Sequence, residues 1–288
     1  MVYLMVAPVL LYYLIFHYGP MYGAIIAFKD YSPAQGIWGS PWIGFQNFQE
    51  FFGGVYIVRL LRNTLAINVL DLIFGFPAPI IVALLLNELT SQRFKRLVQS
   101  LTYVPHFISL VVVAGLLIDF LARDGLVNGL LTSVGLPEIA FLQEAGWYWP
   151  IFVGSGIWQA VGWGSIIYLA AIAGIDPALY EAAVIDGADR WRQIRYITLP
   201  GIWPMVITLL ILRVGTLLSV GYEKTILLYN PSTFETADVI ATYVYRRGVL
   251  GMDYGFSAAV GLFDAVVNLA FLLAANRLTR HFYHVSLW

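Results

Sequence analysis

Six apolar runs, at roughly 2–28, 64–86, 101–122, 150–173, 201–222 and 256–276, are each long enough to cross a bilayer, and this removes most folds from consideration. A helix crosses the ~30 Å hydrocarbon core with ~20 apolar residues. Backbone in contact with lipid must satisfy its own hydrogen bonds, so helices or a closed barrel are the available solutions. A barrel is written in short alternating segments, whereas these runs are continuous. The fold class expected is therefore all-α, a polytopic membrane protein of about six transmembrane helices. Composition agrees: charged residues are 11% of the 288, against ~25% in soluble domains, and hydrophobic residues 60%.

An even number of spans places both termini on one side. With the termini cytoplasmic, segments 87–100, 174–200 and 277–288 hold eight Lys or Arg in 53 residues, against seven in 95 for the opposite segments 29–63, 123–149 and 223–255. That bias follows the positive-inside rule. The first run has no basic residue ahead of it and is too long for a signal-peptide core, so it is read as a membrane helix whose cytoplasmic lead is expected to have been trimmed. Gly, Pro, Trp and Phe crowd "YSPAQGIWGSPWIGFQNFQEFFGG", which suits turns and short helices at headgroup level. No repeat or soluble boundary interrupts the chain, so 1–288 is expected to be one membrane domain. Without cysteine there is no disulfide or thiolate metal site, and a net charge of −1 argues against nucleic acid.

The charges that do occur are concentrated. "LYEAAVIDGADRWRQIRYITLPG", residues 179–201, places Glu181, Asp186, Asp189, Arg190, Arg192 and Arg195 between two apolar runs. Asp176-Pro177 supplies a cap and a first-turn proline, predicting a helix from Pro177 that stops at Gly187. Asp189 then caps a second short helix with Trp191, Ile194 and Arg195, closed by Thr198-Leu199-Pro200. A solvated loop obeying the positive-inside rule has the same charges. Tyr180, Trp191 and paired alanines beside them suit a surface that enters a groove in a partner.

Glu181-Ala182-Ala183, three residues, Gly187, nine residues, Ile197, one residue, Leu199-Pro200 matches EAA-x3-G-x9-I-x-LP, and on this signature the chain resembles the membrane subunits of binding-protein-dependent ABC importers. The six-span frame around the motif resembles that family over nearly the whole chain. The stretches "LLYNPSTFETADVIATYVYRRGVLG" and "GFSAAVGLFDAVVNLAFLLAANRLTR", with a terminal "SLW", resemble its sugar branch, that of oligo- and polysaccharides including alginate. The resemblance implies that loop 174–200 holds a cytoplasmic coupling helix that docks on an ATPase, using Glu181, Ala182, Ala183, Asp186 and Gly187, with Ile197, Leu199 and Pro200 completing the motif. Asp189, after the DGA, is an acid where the family often has a small or polar residue. Implied partners are a second, homologous membrane subunit in a heterodimer, two ATPase subunits and an extracytoplasmic solute-binding protein, in a bacterial inner membrane. No G-x-x-x-x-G-K-[ST] loop is present to cradle phosphates, so ATP and Mg are expected in the partner subunits and no cofactor in this chain. Alternatives are an ABC permease for another small solute and a secondary transporter using intramembrane charges, which should carry inverted repeats.

Polar residues inside the runs are costly in hydrocarbon and should face the bundle or a wet cavity. Asn68, Asp71, Asp119, Gln159, Arg213, Asp264 and Asn268 are of this kind. One reading places Asn68, Asp71, Gln159, Arg213, Asp264 and Asn268 on the substrate route, with Arg213 attractive to an anionic sugar. The other is interhelical pairing, for instance Arg213 with Asp264. Gly156, Ala160 and Gly164 form a small-residue stripe for close helix contact, with a partner subunit or a neighbouring span. Pro77 and Pro79 should kink the second span and free carbonyls toward a cavity. His17, His106, His281 and His284 lack metal spacing, and no membrane-enzyme motif appears, so neither a metal nor a catalytic site is expected.

Overall fold

A computed structural model of the protein describes residues 2–283 and 285–287; Met1, His284 and Trp288 lie outside them. Five described helices are long and apolar enough to span a membrane: α1 (Met5–Phe28), α2 (Ile57–Glu88), α5 (Ala145–Ala173), α7 (Arg190–Val214) and α9 (Tyr254–Tyr283). A sixth span is broken into α3 (Gln92–Phe107) and α4 (Leu110–Ser133), which meet at 101°. Two shorter helices, α6 (Pro177–Ile185) and α8 (Tyr222–Leu228), lie between spans. Lys29 and Trp42 form an isolated antiparallel bridge.

The third run is therefore not one straight helix over 101–122. Pro105 sits in a tight turn, Ile108 is extended, and the Ser109 side chain caps α4 by accepting from the Val112 N–H. The Ile108 carbonyl, left over at the break, accepts from Gln159 Nε2 at 3.0 Å. The expected bounds also shift elsewhere. α2 begins seven residues before the hydrophobic run, and the expected second short helix after Gly187 is the first turns of α7, continuous through Leu199-Pro200 to Val214.

Proline is absorbed inside these spans in a recurring way. Wider, π-helical turns cover Leu14–Tyr18, Asp71–Gly75 and Ile194–Thr198, and each ends two residues before a proline, Pro20, Pro77 and Pro200. In all three the residue before proline donates five residues back: Gly19 to Leu14, Phe76 to Asp71, Leu199 to Ile194. A proline removes one N–H and its ring collides with the carbonyl four residues earlier. One wide turn moves that carbonyl aside, and the helix continues past the proline. At Pro77, where a kink is expected, the backbone perturbation takes the form of this wide turn.

Packing is layered along the bundle. At the end carrying α6, Ala83 of α2, Tyr168 and Ile172 of α5, and Ile202 and Val206 of α7 share a core. At the far end, Phe51, Leu60, Leu218, Ile240, Phe256 and Val260 form another. α1 packs on α9 through Tyr22–Phe28, while its earlier turns expose most of their side chains. Of the Gly156–Ala160–Gly164 stripe, Gly164 lies against Pro79 of α2, where a Cβ would come within 3.1 Å of the proline ring.

Four far-end arginines are neutralised locally. Asp238, completely buried, accepts from Arg59 at 3.2 Å and from Arg246 Nη2 at 2.9 Å, with Arg246 Nη1 2.8 Å away as an ion-pair contact. Arg247 pairs with Glu50 at 2.6 Å and Asp253 at 2.8 Å, and Arg62 approaches Glu235. Among the described residues, Arg93, Lys95, Arg96, Arg190, Arg192, Arg195, Arg277 and Arg280 form no ion pair at the other end.

Candidate functional site

Where α2, α5, α7 and α8 converge, the bundle holds a polar chamber of about 200 Å3. The wide turn of α2 begins at Asp71, and Gly75, lacking a Cβ, leaves the space in which the Asp71 carboxylate lies. From the last turn of α7, Arg213 Nη2 donates to Asp71 Oδ2 at 2.5 Å and to Asn68 Oδ1 at 3.2 Å. Its Nη1 reaches Thr216 Oγ1 at 3.3 Å. Asn68 is oriented by donating to the Thr64 carbonyl at 3.0 Å. Interhelical pairing is thus realised, but Arg213 pairs with Asp71 and not with Asp264. The strap Leu218–Val220 lies between, lining the Arg213 chamber on one side and the Asp264 cavity on the other.

A residue not singled out from sequence completes the chamber. Lys224, on α8, is 9% exposed, and its ammonium donates to the Phe152 carbonyl at 2.7 Å while lying 4.5 Å over the Phe152 ring. Gly156 of α5 permits this, since a Cβ there would sit 3.3 Å from Lys224 Nζ. Burial pulls the pKa of the ammonium down to about 8, partly countered by the Asp71 charge. The chamber therefore carries two cations and one carboxylate. The signal available in sequence was a lone lysine ahead of the apolar run Ile226–Leu228 in an otherwise looped segment.

The chamber continues into a groove of about 490 Å3 along α2, α5 and α7, sharing Asp71, Gly156 and Arg213 with it and passing Ala160, Gly164 and Pro79 toward Tyr168. Of the expected route residues, Asn68, Asp71 and Arg213 meet here. Gln159 is committed to the α3–α4 break. Asn268 holds the strap, accepting from Leu218 N and donating to Ser219 Oγ, both at 3.0 Å. Asp264 lines a separate cavity of about 480 Å3 beside the stacked Tyr222 and Tyr245 rings, where its Oδ1 is buried without a hydrogen-bond partner. Asp119 is exposed in the first half of α4.

The EAA segment stands at the other end. Asp176 Oδ1 accepts from Ala178 N at 2.9 Å, starting α6 at Pro177. Gly187, at φ 74°, ends it: Ala188 N donates to Ala183 O at 2.8 Å and Gly187 N to Val184 O at 3.1 Å. Asp189 caps α7 by accepting from Arg192 N at 2.8 Å, and Tyr180 OH meets Thr198 Oγ1 at 3.0 Å, tying α6 to the π turn before Pro200. Glu181, Ala182, Asp186 and Gly187 are exposed, as are Val184, Ile185 and Trp191, while Ala183 is half-buried. Ile197 and Leu199 are half-buried inside α7 and Pro200 is exposed on it. This is a fixed, mixed apolar and charged surface. Among the described residues no group of three His, Cys, Asp or Glu is placed to hold a metal ion.

A profile of the binding-protein-dependent transport system inner membrane component family matches residues 75–283. The polygalacturonan/rhamnogalacturonan transport system permease protein YteP of Bacillus subtilis (strain 168) is 45% identical over 281 residues, 97% of this chain and 88% of that one. The crystal structure of a bacterial ABC transporter involved in import of the acidic polysaccharide alginate contains a chain 46% identical to this one, with TM-score 0.91, over 98% of this chain and 96% of that chain. A bacterial alginate ABC transporter in complex with an alginate pentasaccharide-bound periplasmic protein gives 45% identity and TM-score 0.91, over 99% and 96%.

Proposed function

The chain belongs to the family of binding-protein-dependent transport system inner membrane components, and from that membership we propose that it is one permease subunit of an ATP-driven importer of acidic oligo- or polysaccharides. The observation that carries this reading is the agreement in fold and 46% identity, over nearly the whole chain, with a subunit of an alginate importer. YteP, whose name includes polygalacturonan, another uronate polymer, points to the same substrate class. The chamber supplies chemistry to match, because its cations exceed its carboxylates by one.

In this reading α6 docks in a cleft of an ATPase through Glu181, Ala182, Ala183, Asp186 and Gly187, and two such ATPases bind and hydrolyse ATP with Mg2+. A second, homologous membrane subunit closes the open side of the groove, and a solute-binding protein delivers sugar at the end carrying Asp238. The end bearing α6 and both termini faces the cytoplasm. The density of basic residues supports that orientation: the segments at the α6 end hold eight Lys or Arg in 53 residues, against seven in 95 at the far end. Alternating access then exposes the chamber first to the binding protein and next to the cytoplasm. The whole of 1–288 acts as one membrane domain.

The test is to express the chain with its genomic neighbours, purify the complex, and measure ATP hydrolysis with binding protein loaded with uronate oligosaccharides. Stimulation by loaded binding protein supports the reading. Hydrolysis indifferent to every uronate sugar points to a permease for another solute, and absence of a co-purifying ATPase overturns the importer reading.

A further inference from the structure

The chamber's second cation is a specificity problem in itself. An ammonium buried with a carbonyl for its hydrogen-bond partner has lost hydration without gaining a full counter-charge, and removing ions from water is costly unless an opposite charge returns. Asp71 does not provide it, being engaged by Arg213 at 2.5 Å. Lys224 instead projects from α8 over Gly156, into the same cavity as Arg213, Asn68 and Ser219. A neutral hydroxylated sugar needs no such charge. An anionic sugar does, and the 200 Å3 chamber accommodates about one ring.

We propose that Lys224 is the residue that selects for acidic sugar, holding one uronate carboxylate at a time between its ammonium and the Arg213 guanidinium as the chain passes. This rests on the saccharide-import reading and adds to it a named selectivity determinant. The Lys224 hydrogen bond passes from the Phe152 carbonyl to the arriving carboxylate, a charge-assisted and stronger bond. Asp71 remains on Arg213 and keeps the chamber's excess at one positive charge, so that the carboxylate is held but also released. The neighbouring 480 Å3 cavity, separated by the Leu218–Val220 strap, is lined by Asp264 and by no Lys, Arg or His, so it offers the same group no counter-charge.

Lys224→Gln separates charge from packing, because a glutamine amide still donates to the Phe152 carbonyl but carries no charge. Lys224→Arg restores the charge. The complete transporter, reconstituted in proteoliposomes with its binding protein, is given a uronate trisaccharide and the same trisaccharide with its carboxyls reduced to hydroxymethyl groups. We expect Lys224→Gln to lower uronate molecules imported per ATP hydrolysed at least tenfold and Lys224→Arg to recover it to within threefold of the unsubstituted complex. Where the reduced sugar is imported, its ratio should change less than threefold. Unchanged uronate import per ATP in Lys224→Gln, equal losses for both sugars, or no recovery with arginine overturns the proposal. An unsubstituted complex that hydrolyses ATP yet imports neither sugar removes the saccharide reading itself, and the selectivity role with it.

Discussion

Arg213 illustrates how a residue's cost is set by its neighbours. Both it and Asp71 are about a third exposed, so their pair sits between a surface bridge and a buried one. Arg213→Ala leaves Asp71 without a cation at its Oδ2, and we expect a loss of about 1–2 kcal/mol, read as a lower midpoint in thermal unfolding of the detergent-purified complex. Adding Asp71→Asn should recover part of it; a double variant less stable than Arg213→Ala would mean that Asp71 has another partner. Asp238 is the harsher case, wholly buried between Arg59 and Arg246. Asp238→Ala strands two guanidiniums and should cost about 3–5 kcal/mol, with Asp238→Asn milder because an amide still accepts from one of them. Equal melting of both variants would show that the charge is not what holds this site. Sequence exposed the intramembrane Asp71 and Arg213 because charge is conspicuous in an apolar run. It hid Asp238 and Lys224, which lie in segments where charge is ordinary, and their burial comes from chain folding back onto the bundle.

Helical elements were legible by existence more than by extent. Hydropathy reports the lipid-facing length, while a helix persists wherever its polar side chains find partners. α2 starts at Ile57 because Arg59 and Asn63 are satisfied by Asp238 and its neighbours, and α7 starts at Arg190 because its first turns emerge toward water. The break after Phe107 was obscured since the residues on both sides of it within 101–122 are mostly apolar. Proline was read as a kink signal, correctly as a site of backbone perturbation, but the wide turn preceding it keeps α2 continuous. That turn also aims Asp71. Pro77→Ala restores an N–H and removes the ring clash, making an ordinary α turn preferable and rotating the part of α2 before the turn by about 100°, one residue's worth. Asp71 should then leave Arg213. Cysteines at both positions, in a chain that otherwise has none, should be bridged by a short bismaleimide with Pro77 present and much less efficiently with alanine; equal bridging would show that packing alone sets the turn.

Across the whole molecule, α6, the proposed docking surface, and the chamber lie at opposite ends of the same helices. α6 connects the end of α5 directly to the start of α7, with Tyr180–Thr198 stiffening the junction, and α7 carries Arg213 about 35 Å away at its other end. A displacement of α6 by an ATPase therefore acts on both helices that wall the groove, whereas the Asp238 hub anchors the far ends. This arrangement separates assembly from folding. Glu181→Lys reverses one exposed charge on α6, where no described contact in the chain depends on it, so the subunit should melt within about 1 °C of the unsubstituted protein, as expected for surface changes. Co-purification of the ATPase should nevertheless fall at least tenfold, because a like charge replaces a complementary one at a close interface. Gly187→Ala probes the same surface through backbone: its φ of 74° costs a side chain about 1 kcal/mol and disturbs the turn that presents Glu181. We expect it to weaken ATPase capture less than the charge reversal does. Full capture and coupled uptake in Glu181→Lys would show that the docking surface lies elsewhere at this end, with the unpaired arginines of α7 the next residues to reverse.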